Sequence, residues 1–159
     1  MSELAREFLA ARGTRREIPV PPSGRGNRFD LDAAYAVEPE IARALVESGR
    51  RIVGRKVGYA NKGMWRILKL ETLAWAHMYD DTVRQTGELA ASGFHSAKIE
   101  PEIVFKLKQP LTDPPDAAAA LESVEWMALG LEIIDCPFPD WKFALVDFVG
   151  AWGCTLRLF

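Results

Sequence analysis

Apolar residues recur three to four positions apart in the first 50 residues, and this spacing predicts two amphipathic helices. The first helix covers residues 3–12 and stops at Gly13. The second begins after Asp30, whose side chain is a good N-cap, and ends before Gly49. Between the helices, the Pro- and Gly-rich stretch 18–26 predicts a surface connector.

Shorter apolar runs fill the rest of the chain. They predict strands at 51–58, 98–107 and 126–134, a mostly helical stretch at 62–79, and short helices at 117–124 and from Asp140 to about Val149. Helices followed by a strand-rich part are typical of an α+β fold. We expect one domain with an N-terminal helical region, 1–50, and a β-rich region, 51–159.

The strand at 98–107 carries two carboxylates one residue apart. Side chains alternate between the two sides of a strand, so Glu100 and Glu102 share one side, opposite an apolar side formed by Ile99, Ile103, Phe105 and Leu107. Glu132 lies inside the apolar run 126–134 with no partner nearby in sequence, where a buried carboxylate is costly. The three glutamates together predict a site for Mg²⁺ or Mn²⁺, since these cations prefer oxygen ligands. The alternative is a solvated sheet face.

Other residues are candidates for proton transfer or anion binding. Lys56 lies on the strand at 51–58 between Gly54 and Gly58, and glycines there indicate a bulge or a close backbone approach. Lys56 either extends its ammonium group to the strand edge or binds a substrate carboxylate and donates a proton. Lys62 is a weaker candidate for the same substrate contact.

Two acids and two histidines complete the candidates. Asp80 or Asp81 near Lys56 would form an acid–base pair, or both are ordinary loop residues. His77 and His95 form no metal-ligand pattern, so we interpret them as structural.

Composition and charge narrow the functional classes. The 159 residues are 48% hydrophobic and 26% charged, as in globular domains. A formal charge of −2 provides no basic field for nucleic acid. Cys136 and Cys154 are too few for a disulfide scaffold and lack metal-ligand spacing, which favours a reduced, cytoplasmic setting. We find no signal-peptide pattern and no apolar stretch of membrane-spanning length, so no membrane partner is expected.

Several segments together resemble a known family. These are Phe29–Val37, Gly49–Gly58, Ile99–Phe105, Gly130–Asp135 and Asp140–Trp141, in this order. The set is similar to the 2-keto-4-pentenoate hydratase / 4-oxalocrotonate decarboxylase family of the fumarylacetoacetate hydrolase superfamily. The resemblance covers about Phe29 to Gly153, most of the chain.

The resemblance implies a fold and a site. The fold is the superfamily's β-rich, sandwich-like barrel with peripheral helices. Glu100, Glu102 and Glu132 match the family's divalent-metal ligands, and Lys56 matches its active-site lysine. The stretch from Trp75 to Val83 resembles the segment with an active-site aspartate, which ranks Asp80 above Asp81. Family members continue well beyond Phe159, so we expect this chain to be C-terminally short.

The activity expected from the resemblance is that of a lyase in aromatic-compound catabolism. Its first form is metal-dependent hydration of a 2-hydroxy-2,4-dienoate to a 4-hydroxy-2-oxo acid, with 4-oxalocrotonate-type decarboxylation as the alternative. A non-catalytic subunit that pairs with a longer relative, and hydrolytic cleavage of an acylpyruvate, also remain open. We expect a small-molecule substrate and either a homo-oligomer or a complex with a related longer chain.

Overall fold

The computed structural model describes residues 1–14, 16–88, 90, 94–111 and 116–159. The helices in these ranges are α1 Glu3–Thr14, α2 Leu31–Glu47, α3 Trp65–Leu68, α4 Ala117–Glu122 and α5 Leu145–Gly150. The strands are β1 Ile52–Gly58, β2 Ala74–Tyr79, β3 Lys98–Leu107, β4 Val124–Ile134 and β5 Thr155–Leu158. Short 3₁₀ turns occur at Pro22–Gly24, Lys62–Met64, Pro139–Trp141 and Trp152–Cys154. No helix in the described ranges has the length and apolar character needed to cross a bilayer.

The strands form two antiparallel sheets. β1 pairs with β2, and the second sheet has the order β3-β4-β5. The long hairpin of β3 and β4 brings Glu100 opposite Glu132 and Pro101 opposite Leu131. The backbone N–H and carbonyl of Leu131 are both hydrogen-bonded to Phe159, on the side away from β3. Pro101, opposite Leu131, therefore has no hydrogen bond to make with β4, and its missing N–H costs none. Strand β3, which contains Pro101, lies at the edge of its sheet. The mixture of helices and sheets confirms the α+β prediction.

Both predicted N-terminal helices form, although α1 continues through Gly13 to Thr14 instead of stopping there. Asp30 caps α2, because its carboxylate accepts the backbone N–H of Ala33 at 3.0 Å. The glycine-broken strand is β1, and its register with β2 shifts between Ile52 and Gly54, where a bulge was predicted. The chain end at Thr155–Leu158 adds the third strand to the sheet of β3 and β4.

The helix predicted at 62–79 is wrong. Only Lys62–Met64 and Trp65–Leu68 are helical, and Ala74–Tyr79 is strand β2. In β2 the small or flexible residues Ala74, Ala76 and Met78 are buried and alternate with larger, partly exposed rings. Alternation with a period of two is typical of a strand. Over so few residues it does not outweigh the helical pattern of the neighbouring sequence. The segment becomes a strand because it pairs with β1.

The hydrophobic core lies between α1, α2, β2 and the segment from Cys136 to Cys154. Phe8 and Phe138 meet edge to face, with ring centroids 6.3 Å apart. Residues of 1–50 and of 51–159 therefore share one core, and the boundary between them stays a prediction. No residue of β3 belongs to this core, so the β3–β4 hairpin extends away from it.

A buried carboxylate joins the N-terminal connector to α5. Asp147 is fully buried and accepts the N–H of Ser23 at 2.8 Å, the hydroxyl of Ser23 at 2.5 Å and the N–H of Ala144 at 2.9 Å. The prediction that Asp140 caps this helix is wrong, because α5 begins after Ala144 and Asp140 lies in the preceding turn. Instead, the carboxylate of Asp147, inside the helix, accepts a backbone N–H at the start of the helix.

Replacing Asp147 by Ala should lower the free energy of unfolding by about 3 kcal/mol, because three donors lose a charged acceptor in the interior. Urea denaturation followed by circular dichroism measures this difference. Glu47→Ala, an exposed change at the end of α2, is the control and should stay within about 0.5 kcal/mol of the parent. Equal losses in both variants would contradict the role of Asp147.

Candidate metal site

The paired strands β3 and β4 bring the three predicted carboxylates together. Glu100 stands directly opposite Glu132, and Glu102 stands opposite Gly130 on the same side of the hairpin. One carboxylate oxygen of each glutamate lies within 4.8 Å of those of the other two. Glu100 is exposed, Glu102 is partly buried and Glu132 is only 2% exposed. The cluster therefore opens to solvent on one side and is closed at Glu132.

Lys56 reaches this cluster from the other sheet. Its Nζ lies 2.8 Å from both carboxylate oxygens of Glu132, and its side chain is only 10% exposed. A buried carboxylate and a buried ammonium group compensate each other here, which explains how Glu132 is accommodated among apolar neighbours. The ion pair connects β1 to β4 and so connects the two sheets.

The turn before β5 positions the lysine. The carbonyl of Gly153 accepts a third hydrogen bond from Lys56 Nζ at 3.3 Å, and the ring of Phe148 lies 5.5 Å from the same nitrogen. Gly153 has φ of 72°, and a Cβ there would lie 3.1 Å from Lys56 Cδ. Glycine is therefore required both by the backbone conformation and by the packing of the lysine stem.

The charge of the cluster suits a divalent cation. Three carboxylates and one ammonium group leave two negative charges when all are ionised. Burial raises the pKa of Glu102, and the neighbouring Glu132 and Glu100 raise it further. Each carboxylate oxygen that binds Lys56 keeps a second lone pair, so Glu132 is able to bind the lysine and a cation together. Oxygen ligands and net charge therefore both fit Mg²⁺ or Mn²⁺.

Tyr59, which the sequence analysis did not single out, lies beside the same Phe148 ring that neighbours Lys56. Its ring packs edge to face on Phe148, 5.1 Å between centroids, and its backbone has φ of 61°. Burial raises the pKa of Tyr59 to about 12, and nearby Cys154 and Glu100 contribute. The phenol is therefore a hydrogen-bond donor at neutral pH. Its position three residues after Lys56 is the sequence signal that could have identified it.

The structure does not bring Asp80 or Asp81 to Lys56. Asp80 accepts the N–H of Arg51 at 3.0 Å and its Nε at 2.9 Å, while Asp81 pairs with Arg50. Arg51 and Lys56 are separated by about 16 Å of extended chain. The pair of Asp80 with Lys56 is therefore absent, and the catalytic role of Asp80 stays a prediction without a contact at the cluster.

The other candidates lie apart from the carboxylates. Lys62 is exposed, with Nζ 5.8 Å from the Trp65 ring. His77 Nδ1 pairs with the buried carboxylate of Glu38 on α2. The backbone N–H of His95 donates to Asp135 at 2.9 Å. These contacts agree with the interpretation of both histidines as structural.

Comparison with known proteins confirms the predicted resemblance. The chain is 31% identical to 2-keto-4-pentenoate hydratase 1 of Dechloromonas aromatica over 150 residues, which are 93% of this chain and 57% of the relative. It is 33% identical to a TodF product hydratase of Pseudomonas putida over 133 residues, which are 82% of this chain and 49% of the relative. The chain thus spans about half the length of the curated relatives it matches. No protein-family model matches the sequence.

A solved structure has the same mixed arrangement of helices and sheets. The 4-oxalocrotonate decarboxylase from Pseudomonas putida G7, complexed with magnesium and adipate, superimposes with a TM-score of 0.91. The alignment covers 98% of this chain and 59% of that chain at 24% sequence identity. Nearly all of the present chain therefore has a counterpart in a larger fold.

Replacing Glu132 by Gln should weaken Mn²⁺ binding at least tenfold, since even indirect partners of a metal cost about 10–100-fold when lost. Isothermal titration calorimetry measures the affinity, and circular dichroism checks folding. Glu125→Gln changes an exposed glutamate of the same strand that pairs with Lys106, and it should bind Mn²⁺ like the parent. Unchanged affinity in Glu132→Gln would exclude Glu132 as a ligand.

Raising the pH should ionise Tyr59 and Tyr79 only near pH 12, because burial raises both pKa values from 10.0 to about 12. The folded chain holds these protons more tightly than the unfolded chain. The stability that these two protonated phenols contribute is therefore fully present below pH 10 and is lost as the pH rises through about 12. Absorbance of tyrosinate follows the ionisation, and Tyr59→Phe should remove part of the late step. A late step of unchanged size in Tyr59→Phe would refute the assignment.

Proposed function

We propose that this chain carries the metal-binding part of a lyase that hydrates a 2-hydroxy-2,4-dienoate. The observation that supports this most is the cluster of Glu100, Glu102 and Glu132 with Lys56 bound to Glu132 at 2.8 Å. The similarity of the chain to 2-keto-4-pentenoate hydratases supports this class of substrate. We also propose the sandwich-like barrel of the fumarylacetoacetate hydrolase superfamily as the complete architecture.

Glu100, Glu102 and Glu132 would hold Mg²⁺ or Mn²⁺, and magnesium is the ion in the solved decarboxylase. A divalent cation at this position supplies Lewis acidity toward the carboxylate and the 2-oxygen of the substrate. These two oxygens would approach from the open side of the cluster, where Glu100 is exposed. The closed side at Glu132 excludes water and keeps the ion pair with Lys56 strong.

The reaction requires two proton movements. Ketonisation of the dienol takes the proton from the 2-hydroxyl group and delivers one to C5, which gives a conjugated 2-oxo-3-enoate. Water then adds its hydroxyl group to C4 and its proton to C3, so that the product is a 4-hydroxy-2-oxo acid. Lys56 is our first candidate to move these protons, since its ammonium group lies inside the site on a rigid strand.

Two further side chains support the substrate in this proposal. The Tyr59 phenol keeps its proton at neutral pH, and we propose it as a hydrogen-bond donor to a developing oxyanion. Lys62 would add an exposed cation for the substrate carboxylate and remains the weaker binding candidate. Asp80 is our second choice for proton transfer, through water, because its carboxylate is paired with Arg51.

Decarboxylation of a 4-oxalocrotonate-type acid is the second candidate function, and the fold similarity to the solved decarboxylase favours it. Both reactions stabilise the same enolate, so the same residues would act in each. Hydration is our first choice because the described contacts of the cluster include one cation, Lys56, and no basic group for a second substrate carboxylate. As partners we propose the small-molecule substrate and either further copies of the chain or a related longer chain.

Addition of 2-hydroxypenta-2,4-dienoate to the chain with Mg²⁺ or Mn²⁺ should remove the dienol absorbance and yield 4-hydroxy-2-oxopentanoate. Chelation of the metal should abolish this reaction. Lys56→Met should reduce turnover by about 10²–10⁴-fold while Mn²⁺ still binds, because general acid–base catalysis contributes that range. Lys142→Met, an exposed change in the turn before α5, is the control and should turn over like the parent.

Full activity of Lys56→Met would assign proton transfer to another residue. Absence of turnover in the folded, metal-binding parent would instead favour the non-catalytic subunit that pairs with a longer relative. Release of CO₂ from 4-oxalocrotonate under the same conditions would favour the decarboxylase.

A further inference from the structure

The two cysteines of the chain lie side by side in the core. Cys136 follows the end of β4, and Cys154 directly precedes β5. These strands are paired up to this point, since Ile134 lies opposite Thr155. The N–H of Asp135 then donates to the carbonyl of Cys154 at 2.9 Å. Cys136 is 2% exposed, Cys154 is 5% exposed, and neither is in a disulfide.

The two thiols contact each other and differ in acidity. The Cys154 thiol donates a hydrogen bond to the sulfur of Cys136, which also accepts the backbone N–H of Phe138 at 3.4 Å. The hydrogen bond from Cys154 lowers the pKa of the Cys136 thiol most, although burial acts in the opposite direction. The same hydrogen bond and burial raise the pKa of the Cys154 thiol. Cys136 is therefore the sulfur that ionises first, and Cys154 is its resolving partner.

Cys154 also belongs to the segment that positions Lys56. It directly follows Gly153, whose carbonyl accepts a hydrogen bond from Lys56 Nζ at 3.3 Å. Cys154 itself has φ of 53°, which is unfavourable for a residue with a Cβ. Such conformations persist only where the surrounding packing holds them, and they are common in switch regions. A bond made at the Cys154 sulfur is thus one residue away from the carbonyl that holds the lysine.

We propose that Cys136 and Cys154 form a reversible disulfide in the presence of hydrogen peroxide, and that this bond moves the Gly153 carbonyl away from Lys56. A disulfide holds its two sulfurs about 2.05 Å apart, well inside hydrogen-bonding distance. The chain must therefore shift when the bond forms. The lysine then loses one of its three hydrogen-bond acceptors and becomes more accessible to solvent.

The shift falls on the Cys154 side of the pair. The chain around Cys136 is held by the core, because the carbonyl of Pro137 accepts the N–H of Ile18 at 2.8 Å and Phe138 is buried in the hydrophobic cluster. Cys154 lies instead beside a glycine with φ of 72°, which has conformations available that other residues lack. The carbonyl of that glycine moves with the cysteine.

Burial restricts the oxidant to a small molecule, since exchange with a larger disulfide needs access to the sulfur. The Cys136 thiolate attacks one oxygen of H₂O₂, which breaks the O–O bond, releases hydroxide and leaves a sulfenic acid. The Cys154 sulfur then attacks the sulfenic sulfur and gives up its proton, and the hydroxyl group leaves with that proton as water. Two thiols and one peroxide thus give one disulfide and two waters, and the electrons lost by the sulfurs reduce the peroxide.

The first test needs neither metal nor substrate. The folded parent is exposed to H₂O₂ and then denatured in N-ethylmaleimide. The chain has two cysteines, so an oxidised chain should take up no label, and its peptide map should show Cys136 joined to Cys154 within one chain. Dithiothreitol should restore both thiols. Thiols that still react with the label, or bridges that form only between chains, would overturn the proposal.

The second test follows the accessibility of Lys56 with an amine-reactive ester. In the reduced chain the reference Lys142, with 81% of its side chain exposed, should react much faster than Lys56, with 10% exposed. Formation of the disulfide should increase the labelling of Lys56 relative to Lys142, and dithiothreitol should reverse the increase. An oxidised chain in which Lys56 is labelled as slowly as before would refute the link between the two sites.

Cys136→Ala is the control for both tests. It removes the thiol that ionises first and leaves the methionines open to oxidation by the same peroxide. Peroxide should leave the labelling of Lys56 unchanged in this variant. Cys136→Ser retains a polar group of similar size and serves as the control instead if circular dichroism shows that the alanine variant is unfolded. Increased labelling of Lys56 in a folded control would contradict a role for the disulfide.

The effect on activity rests on the proposed function. Turnover of the parent should fall at least about tenfold after peroxide and recover with dithiothreitol, because a general acid–base group contributes about 10²–10⁴-fold. The control variant should keep its turnover under the same treatment. A parent that forms the disulfide and exposes Lys56 but turns over in neither state would support the switch and contradict the proposed function. Full turnover of the oxidised parent would contradict the switch.

Discussion

The ion pair between Lys56 and Glu132 is the contact on which the arrangement of the site depends. It joins strands that belong to different sheets and are 76 residues apart in sequence. Burying either charge alone is expensive, and the cost is offset only when the partner is close and the remaining hydrogen-bonding capacity is used. Here Nζ meets both oxygens of Glu132 and the Gly153 carbonyl. Any displacement of one sheet against the other would expose or isolate one of these charges.

The register of the β3–β4 hairpin is the second constraint. Glu100 stands opposite Glu132, and a shift of one residue would turn Glu132 to the opposite side of the sheet. Several features resist such a shift. Pro101 lacks the N–H that would be needed on the β4 side, and a side chain at Gly130 would collide with Val104, 2.8 Å from its Cβ position. The same register therefore assembles the carboxylates on one side and apolar residues, among them Ile103 and Leu129, on the other.

A short left-handed segment connects these strands to the core. Trp152, Gly153 and Cys154 all have positive φ, an uncommon conformation that costs free energy for residues other than glycine. Trp152 and Cys154 are buried among core residues, and this packing holds the segment in place. The result is a carbonyl directed at Lys56 and a chain direction that lets β5 pair with β4.

Periodicity and residue chemistry in the sequence were sufficient for the elements with long or well-marked patterns. Both N-terminal helices, the Asp30 cap and the strands with Glu100, Glu102, Glu132 and Lys56 follow from local rules, because spacing and capping act within a few residues. Strand β2 could not be predicted from local rules, since its six residues become a strand through pairing with β1.

Tertiary structure alone decided which of these residues meet. It brought Lys56 to Glu132, packed Tyr59 against Phe148, and left Asp80 with Arg51. The sequence determined which side chains share one side of a strand, because alternation is a property of the extended backbone. It did not determine how two sheets pack, because that depends on buried contacts between residues far apart in the chain.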